Sequence, residues 1–231
     1  MGATMKALHV RLQALTATYP YPFLRSGMQI TLPAPPFSSM LGNISACAGR
    51  PVLPPLRIGF EFRSVSWENL DLERTHRLGM STQTGRLSAN PERGIVTRQF
   101  HSRPQLDLYL TDLSLRHAFD FPVAAPCLGR SQDLAWVALV REIELEACPG
   151  GELGPTSVPF PNCQVGGRIL PPLADYYRND ELGHTRQIGR LSRYQFIQEG
   201  APVISGPEFQ LWRACDRESD AAVVFLHQLS L

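Results

Sequence analysis

Residues 31–50 read TLPAPPFSSMLGNISACAGR, and this stretch predicts an extended arm followed by one helix. Pro35 and Pro36 cannot donate hydrogen bonds inside a helix, so they belong at or before its first turn. Gly49 lies just beyond the helical pattern and suits a left-handed C-cap. Apolar residues recur at spacings of three and four and form one helical face, made of Phe37, Met40, Leu41, Ile44, Cys47 and Ala48. We therefore expect a core helix that packs on a sheet.

The composition of the 231 residues is that of an ordinary globular chain, with 43% hydrophobic and 19% charged residues. No apolar run is long enough to cross a bilayer, and the N-terminus lacks the apolar core of a signal peptide. We therefore expect a cytoplasmic protein without a membrane partner. Five scattered cysteines without a CxxC pair argue against a disulfide framework and a zinc site. We expect no metal and no other cofactor.

The cations of this chain are almost all arginines, with Lys6 as the only lysine. Arginine pairs bidentately with phosphate and stacks on bases, which favours a nucleic-acid partner. The formal net charge of +1, however, provides no global positive field. A genomic base-composition bias would also replace lysine by arginine. The positions of the arginines must therefore decide between the two explanations.

A strand and a loop precede the helix. Residues 6–12 alternate between apolar and polar types, which predicts a half-buried strand with His9 and Arg11 on its solvent side. The following loop carries Tyr19 and Arg25 between prolines that exclude a helix. These side chains either stack on bases or cover the sheet edge, and the sequence leaves both interpretations open.

The elements after the helix complete an α+β pattern. Thr111 or Asp112 is placed to cap a short second helix. Alternating apolar residues predict further strands at residues 58–62, 96–99, 106–110 and 136–145. The resulting order is strand, helix, strand, strand or hairpin, strand, helix, strand. This order fits a ferredoxin-like fold of the RNA-recognition-motif type with one insertion, in which helices cover one face of the sheet.

The insertion is the polar segment at about residues 69–97. It carries Arg74, His76 and Arg77 and is too polar for a core, so we expect a protruding hairpin or mobile arm, with a disordered surface loop as the alternative. Arg98 and His101 continue the basic character beyond it.

A stretch rich in glycine and proline, residues 148–172, predicts a domain boundary. We expect a ferredoxin-like domain over residues 1–147 and a small β-rich domain over residues 148–231. Before the boundary, Gly129, Arg130 and Ser131 form a tight turn that presents a free backbone, a cation and a hydroxyl group together.

Two segments together resemble the CRISPR-associated protein 5 family. TLPAPPFSSMLGNISACAG is similar to its T-x-P-x-PP-x-S-x-x-x-G start, and PCLGRSQDLAWV, residues 126–137, is similar to its second signature, a proline followed by Leu-Gly-Arg and a strand. The resemblance covers roughly residues 5–145 and looks most like the type I-B branch.

The resemblance implies a subunit of a type I CRISPR RNA-guided surveillance complex, Cascade, which acts in antiviral defence. Such subunits grip the 5′ handle of the CRISPR RNA, contact the large and backbone subunits, and meet target DNA only indirectly. Their hairpin, called the thumb, displaces a base at the junction between handle and guide, and the insertion described above matches it. The residues that we expect to contact RNA are Tyr19, Arg25, Ser38, Arg74, His76, Arg77, Arg98, His101, Gly129, Arg130 and Ser131.

The main alternative is a metal-free endoribonuclease that cuts precursor CRISPR RNA, as the type I-C branch of that family does. That chemistry needs a general base, a donor for the leaving oxygen and a cation. Tyrosine (Tyr19 or Tyr21) and histidine (His76 or His101) are present, but Lys6 opens the first strand, and arginine replaces the charge of a lysine without its proton transfer. We therefore expect a subunit that is not an enzyme. A protein–protein adaptor that binds no RNA is the second alternative.

Overall fold

A computed structural model describes residues 2–22, 27–77, 79, 92–180, 185–215 and 222–231. The described chain is mostly β-structure. Its first part contains β1 (Thr4–Ala14), β2 (Thr16–Ala17), β3 (Met28–Gln29), α1 (Phe37–Ala48), β4 (Leu56–Arg63), β5 (Ser66–Arg77), β6 (Glu92–Ser102), β7 (Gln105–Leu110), a 3₁₀ turn (Leu113–Leu115), α2 (Arg116–Asp120) and β8 (Ala135–Cys148).

Twelve short strands follow in the described part of the chain. They are β9 (Gly150–Leu153), β10 (Thr156–Pro159), β11 (Arg168–Ile169), β12 (Leu173–Ala174), β13 (Tyr177–Asn179), β14 (Arg186–Ile188), β15 (Leu191–Ser192), β16 (Tyr194–Ile197), β17 (Ala201–Ile204), β18 (Leu211–Ala214), β19 (Ala222–Phe225) and β20 (His227–Leu229). None of the helices in these ranges is long and apolar enough to span a bilayer.

The main sheet has nine strands in the order β17-β9-β19-β18-β8-β1-β7-β4-β20. Within it, β8, β1, β7 and β4 are neighbours, and each adjacent pair is antiparallel. The helix α1 connects β1 to β4 by way of the loop strands, and α2 connects β7 to β8. The predicted order of helices and strands is therefore the observed one in this part of the chain.

The predicted helix and both of its ends are confirmed. It spans Phe37–Ala48, begins after Pro36 in an extended conformation, and ends at Gly49, which has a φ of 65° and donates to the Ala46 carbonyl. The ring of Phe37 packs against Phe60 of β4 at 5.7 Å between centroids. Fully burying one such large apolar side chain contributes about 1.5–3 kcal/mol, so this face anchors the helix on the sheet.

The solvent side predicted for β1 is wrong at His9, which is only 4% exposed. The reason is that β1 is a central strand covered on both faces. Leu8 belongs to the core beneath α1, while Ala7 belongs to a second apolar cluster on the opposite face of the sheet. His9 is accommodated there because its Nε2 lies 2.7 Å from Asp107 Oδ1 and its ring stacks on Tyr109.

The C-terminal strands pack against the N-terminal end of α1 and extend its core. Tyr194 of β16 lies 5.1 Å from the ring of Phe37, and Leu173 and Phe196 belong to the same core cluster as the helix. Strands from both sides of the boundary predicted between residues 147 and 148 pair in the main sheet, where β8 pairs with β18. The division into two domains stays a prediction, but the two parts share one sheet and one core.

Candidate nucleic-acid interface

Three segments meet at one point, which we call the junction: residues 16–19, the turn of residues 128–133, and the base of the β5–β6 hairpin. The Thr18 amide donates to the Leu128 carbonyl at 3.1 Å, and the Thr16 hydroxyl donates to Asp133 at 2.6 Å. Arg130 Nη1 lies 3.6 Å from Glu73 Oε2 on the hairpin. The turn is therefore fixed from two sides.

Arg130 is held by Asp133 through two side-chain hydrogen bonds. Its Nε donates to Oδ2 and its Nη2 donates to Oδ1, both at 2.9 Å. Burial acts to lower the pKa of Arg130, but Asp133 and Glu73 together raise it above its ordinary value. Burial likewise acts to raise the pKa of Asp133, and hydrogen bonds from Arg130 and Thr16 hold it below its usual range. Both side chains are therefore ionised at neutral pH.

Gly129 is required by the close approach of the two loops. It has a φ of +113°, and a Cβ atom at this position would lie 1.9 Å from the Thr18 carbonyl oxygen. Other residue types are strained in this region of φ. The glycine therefore lets the turn lie directly against the loop that precedes α1.

The hairpin predicted at residues 69–97 is formed by β5 and β6, which pair from Ser66 to Arg77 and from Glu92 to Ser102. Its inner face is charged: Arg98 donates to Glu73 at 2.5 Å and to Gln29 of β3. Register partners share a face of a sheet, so Arg98, Asp71 and Gln29 all lie on this side. The guanidinium group of Arg98 therefore belongs to an ion-pair network with Glu73, Arg130 and Asp133.

The outer face of the same hairpin is apolar and exposed. Leu70 and Leu72 on β5 are 56% and 72% exposed, and Ile95 on β6 is 67% exposed. Met28 on β3 is the register partner of Thr97 and lies on this face too. The hairpin therefore turns the ion-paired side chains of Arg98 and Glu73 toward the body, and its outer face presents these apolar residues together with Arg74 to solvent.

Tyr19 and His101 are core residues rather than RNA contacts, which corrects the sequence prediction. Tyr19 is 2% exposed and packs edge-on against Phe62. His101 is 1% exposed, accepts from the Ser64 hydroxyl, and donates from Nε2 to the Leu32 carbonyl at 2.8 Å. Burial lowers the pKa of His101 to about 4. Because neither ring has an open face, neither stacks on a base in this structure.

The other residues predicted to contact RNA lie only partly at the junction. Arg74 on the outer hairpin face and Ser131 on the turn are exposed, whereas Ser38 lies half-buried on the first turn of α1, away from the junction. His76 and Arg77 lie on β5, but their side chains are outside the described part of the structure, as is Arg25. The RNA contacts at all of these positions stay predictions.

Sequence reasoning missed the acidic half of the junction. Asp133 follows Arg130 by three residues at the end of a turn, and this spacing is a signal that could have identified the pair. No comparable signal exists for Thr16 or Glu73, because they reach the turn from residues more than fifty positions away in the sequence.

The structure thus defines a β-rich protein with a large curled sheet, a 12-residue helix packed on it, and a hairpin next to the turn that holds Arg130. A scan against protein-family models matched no family, and a search of curated proteins found no match. Among solved structures, the fold is similar to that of a chain from a CRISPR RNA-guided surveillance complex, with a TM-score of 0.50 and 16% identity over 87% of this chain and 94% of that chain.

A CRISPR protein from Archaeoglobus fulgidus is similar to the same extent, with a TM-score of 0.50 and 11% identity over 97% of this chain and 100% of that chain. At these identities the likeness shows a shared fold. Both similarities cover most of the two chains compared, so they concern the whole architecture rather than one motif.

Proposed function

We propose that this protein is a non-catalytic, RNA-binding subunit of a CRISPR RNA-guided surveillance complex of the type I-B kind, and that it holds the 5′ handle of the CRISPR RNA. The observation that carries the proposal is the junction. The two segments that resemble the CRISPR-associated protein 5 family, residues 31–49 and 126–137, lie far apart in the sequence, yet Asn43 of α1 donates to the Cys127 carbonyl at 2.7 Å. The hairpin base meets them at Arg130.

The strand order supports a ferredoxin-like core. Numbered along the chain, β1, β4, β7 and β8 are the first to fourth core strands, so their order in the sheet is fourth, first, third, second. All adjacent pairs are antiparallel, and the helices follow the first and third core strands. This order agrees with the one expected of the split βαβ fold, and the proposal treats the β5–β6 hairpin and the edge strands as additions to it.

The burial of Tyr19 and His101 supports a role without catalysis. A general acid or base must come within hydrogen-bonding distance of the proton that it transfers. His101 is enclosed by Phe62 and Leu32, and its low pKa keeps it neutral. The remaining ribonuclease candidates are Tyr21, which is half-buried on the loop before α1, and His76, whose side chain lies outside the described residues, and both stay open to experiment.

Contacts with the backbone and large subunits form the second part of the proposal. The outer hairpin face, with Leu70, Leu72 and Ile95, lacks a covering element among the described residues. Exposed apolar patches of this kind are typical of protein contact sites. This face also supports the adaptor alternative, in which the protein joins subunits without binding RNA. Target DNA would be met only through these neighbours.

The test is to incubate the purified chain, and the chain co-purified with its neighbouring subunits, with repeat RNA. Binding of uncleaved RNA is the expected result. Cleavage would replace the proposal by the ribonuclease alternative, and the absence of both in both preparations would leave the adaptor. Arg74→Ala should weaken binding by about tenfold if Arg74 contacts a phosphate, whereas Arg116→Ala, at an exposed arginine that pairs with Asp120 on α2, is the matched control.

A further inference from the structure

A groove of about 900 Å³ separates the outer face of α1 from the hairpin of β13 and β14. The helix contributes small residues, among them Gly42, Ser45 and Ala46. A Cβ atom added at Gly42 would have no neighbour within 4 Å. This side of the groove therefore leaves room for a ligand to approach the helix closely.

The hairpin side of the groove carries cations and an aromatic ring. Arg178 and Arg186 are exposed, and the guanidinium of Arg186 lies 5.7 Å from the ring centroid of Tyr177, which is 42% exposed. Arg50 adds a third cation at the end of α1. Within the described ranges, none of these three arginines forms an ion pair with a carboxylate.

The acidic group that lines the groove is Asp180, and its carboxylate is already engaged. Its Oδ2 accepts from the Thr185 amide at 3.0 Å and from the Thr185 hydroxyl at 2.7 Å. Among the described residues that line the groove, three arginines stand against one carboxylate, which is a positive balance. A positive groove with an exposed aromatic ring is the combination that binds single strands, because phosphates pair with the cations and bases stack on the ring.

We propose that this groove binds single-stranded nucleic acid, with phosphates at Arg178 and Arg186 and a base on Tyr177. The groove also has a physical connection to the junction. The Val123 amide donates to the Cys47 carbonyl at 2.9 Å, which holds residues 123 and 124 at the groove. From residue 124 to residue 129 of the junction turn, five residues span at most about 17 Å.

A strand held at the junction can therefore continue into the groove. In this respect the inference rests on the proposed function and extends it from the handle to the adjoining nucleotides. A protein ligand is the competing occupant, and the exposed guanidinium groups, which have no carboxylate partner among the described residues, favour the polyanion over it.

The test uses the full chain and an oligouridine of about 15 nucleotides, a length that spans the usual single-strand sites, with oligodeoxythymidine of the same length to distinguish RNA from DNA. The double substitution Arg178→Ala and Arg186→Ala should weaken oligouridine binding by about tenfold or more. It should also reduce the slope of log affinity against log salt by about 1.4, since each phosphate contact on a single strand contributes about 0.7.

Tyr177→Ala should weaken binding by about fivefold or more, while Tyr177→Phe should restore it, because stacking needs only the ring. Arg116→Ala is the control for charge alone and should leave binding unchanged. If the groove variants bind oligouridine and repeat RNA like the wild type, this inference is wrong and the proposed function stands. If wild-type protein and complex bind neither RNA, both fail. Stronger binding of oligodeoxythymidine would assign the groove to a DNA strand.

Discussion

Arg130 and Asp133 are joined by two parallel hydrogen bonds of 2.9 Å at a turn that also receives the hydroxyl of Thr16. Asp133 is only 1% exposed. The arginine that the sequence singles out as an RNA contact is therefore first a structural element, because it closes the turn and meets Glu73 of the hairpin. Arg130 holds the turn in a conformation that exposes Ser131 and the turn backbone. Its contribution to RNA binding therefore depends above all on these exposed groups.

Removing the acidic partner should destabilise the fold. Asp133→Ala removes both short hydrogen bonds to the largely buried guanidinium of Arg130 and leaves it only the longer contact with Glu73, which is expected to cost about 3 kcal/mol of unfolding free energy. Urea denaturation of wild type and variant measures the difference. The matched control is Asp120→Ala, which breaks the exposed pair with Arg116 and should cost less than about 1 kcal/mol. Equal losses of unfolding free energy at the two sites would show that the pair of Arg130 and Asp133 stabilises the fold no more than an exposed ion pair does.

Gly129 and Gly42 provide opposite outcomes for the same substitution. Gly129→Ala forces a Cβ atom against the Thr18 carbonyl at a φ of +113°, so we expect a loss of about 2 kcal/mol or more. Gly42→Ala places a methyl group in open space on α1 and should increase stability by about 0.5–1 kcal/mol. The two melting temperatures should therefore move in opposite directions. A well-tolerated Gly129→Ala would contradict the tight contact between turn and loop.

Acid should destabilise the protein in two successive pH ranges. Burial lowers the pKa of His101 and of His227 to about 4, whereas an unfolded histidine has a pKa of about 6.5. Between these values the unfolded chain binds more protons, so stability falls as the pH falls, by up to about 1.4 kcal/mol per pH unit for each histidine.

Below that range, protonation of buried carboxylates should cause the further loss of stability. The pKa of Asp107 and of Asp133 lies below its ordinary value of 3.8, because hydrogen bonds to the charged form outweigh the opposing effect of burial. Their contribution is present above the unfolded pKa and is lost as the pH falls through the folded one. Unfolding free energies measured from pH 7 to pH 3 test this order. Between pH 6.5 and 4, the unfolding free energy of a His101→Gln variant should depend less steeply on pH, because one histidine no longer takes up a proton on unfolding. An unchanged slope would argue against a buried neutral His101.

The distal hairpin should be dispensable for folding. Deleting residues 74–92 joins Glu73 to Arg93 and leaves a three-residue connection before Val96, the register partner of Glu73. Three-residue loops close hairpins readily, and the contact of Glu73 with Arg130 is kept. We expect the deletion variant to be folded by circular dichroism. In its complex with CRISPR RNA, the nucleotide at the boundary between handle and guide should show altered chemical reactivity. An unfolded deletion variant would show that the removed strand ends belong to the core.

Local signals in the sequence predicted the helix of residues 37–48 with its ends. Proline restricts the backbone at the start, the spacing of apolar residues defines the buried face, and a glycine in the left-handed region ends it, so each cause acts within a few residues. The hairpin and the strands that alternate were predictable for the same reason. His9 was not, because whether the second face of a strand is covered depends on residues far away, here the cluster around Tyr109 and Trp212.

The same distinction between local signals and distant contacts applies to the candidate site. The sequence by itself determined that a glycine-arginine turn and a polar insertion flank a sheet with a packed helix. Only the tertiary structure decided that Tyr19 and His101 are enclosed, that Arg130 is neutralised by Asp133, and that Arg98 and Glu73 pair on the inner face of the hairpin. The physical reason is that burial and ion pairing are properties of contacts between distant segments, and residue type and spacing do not specify which distant segment arrives.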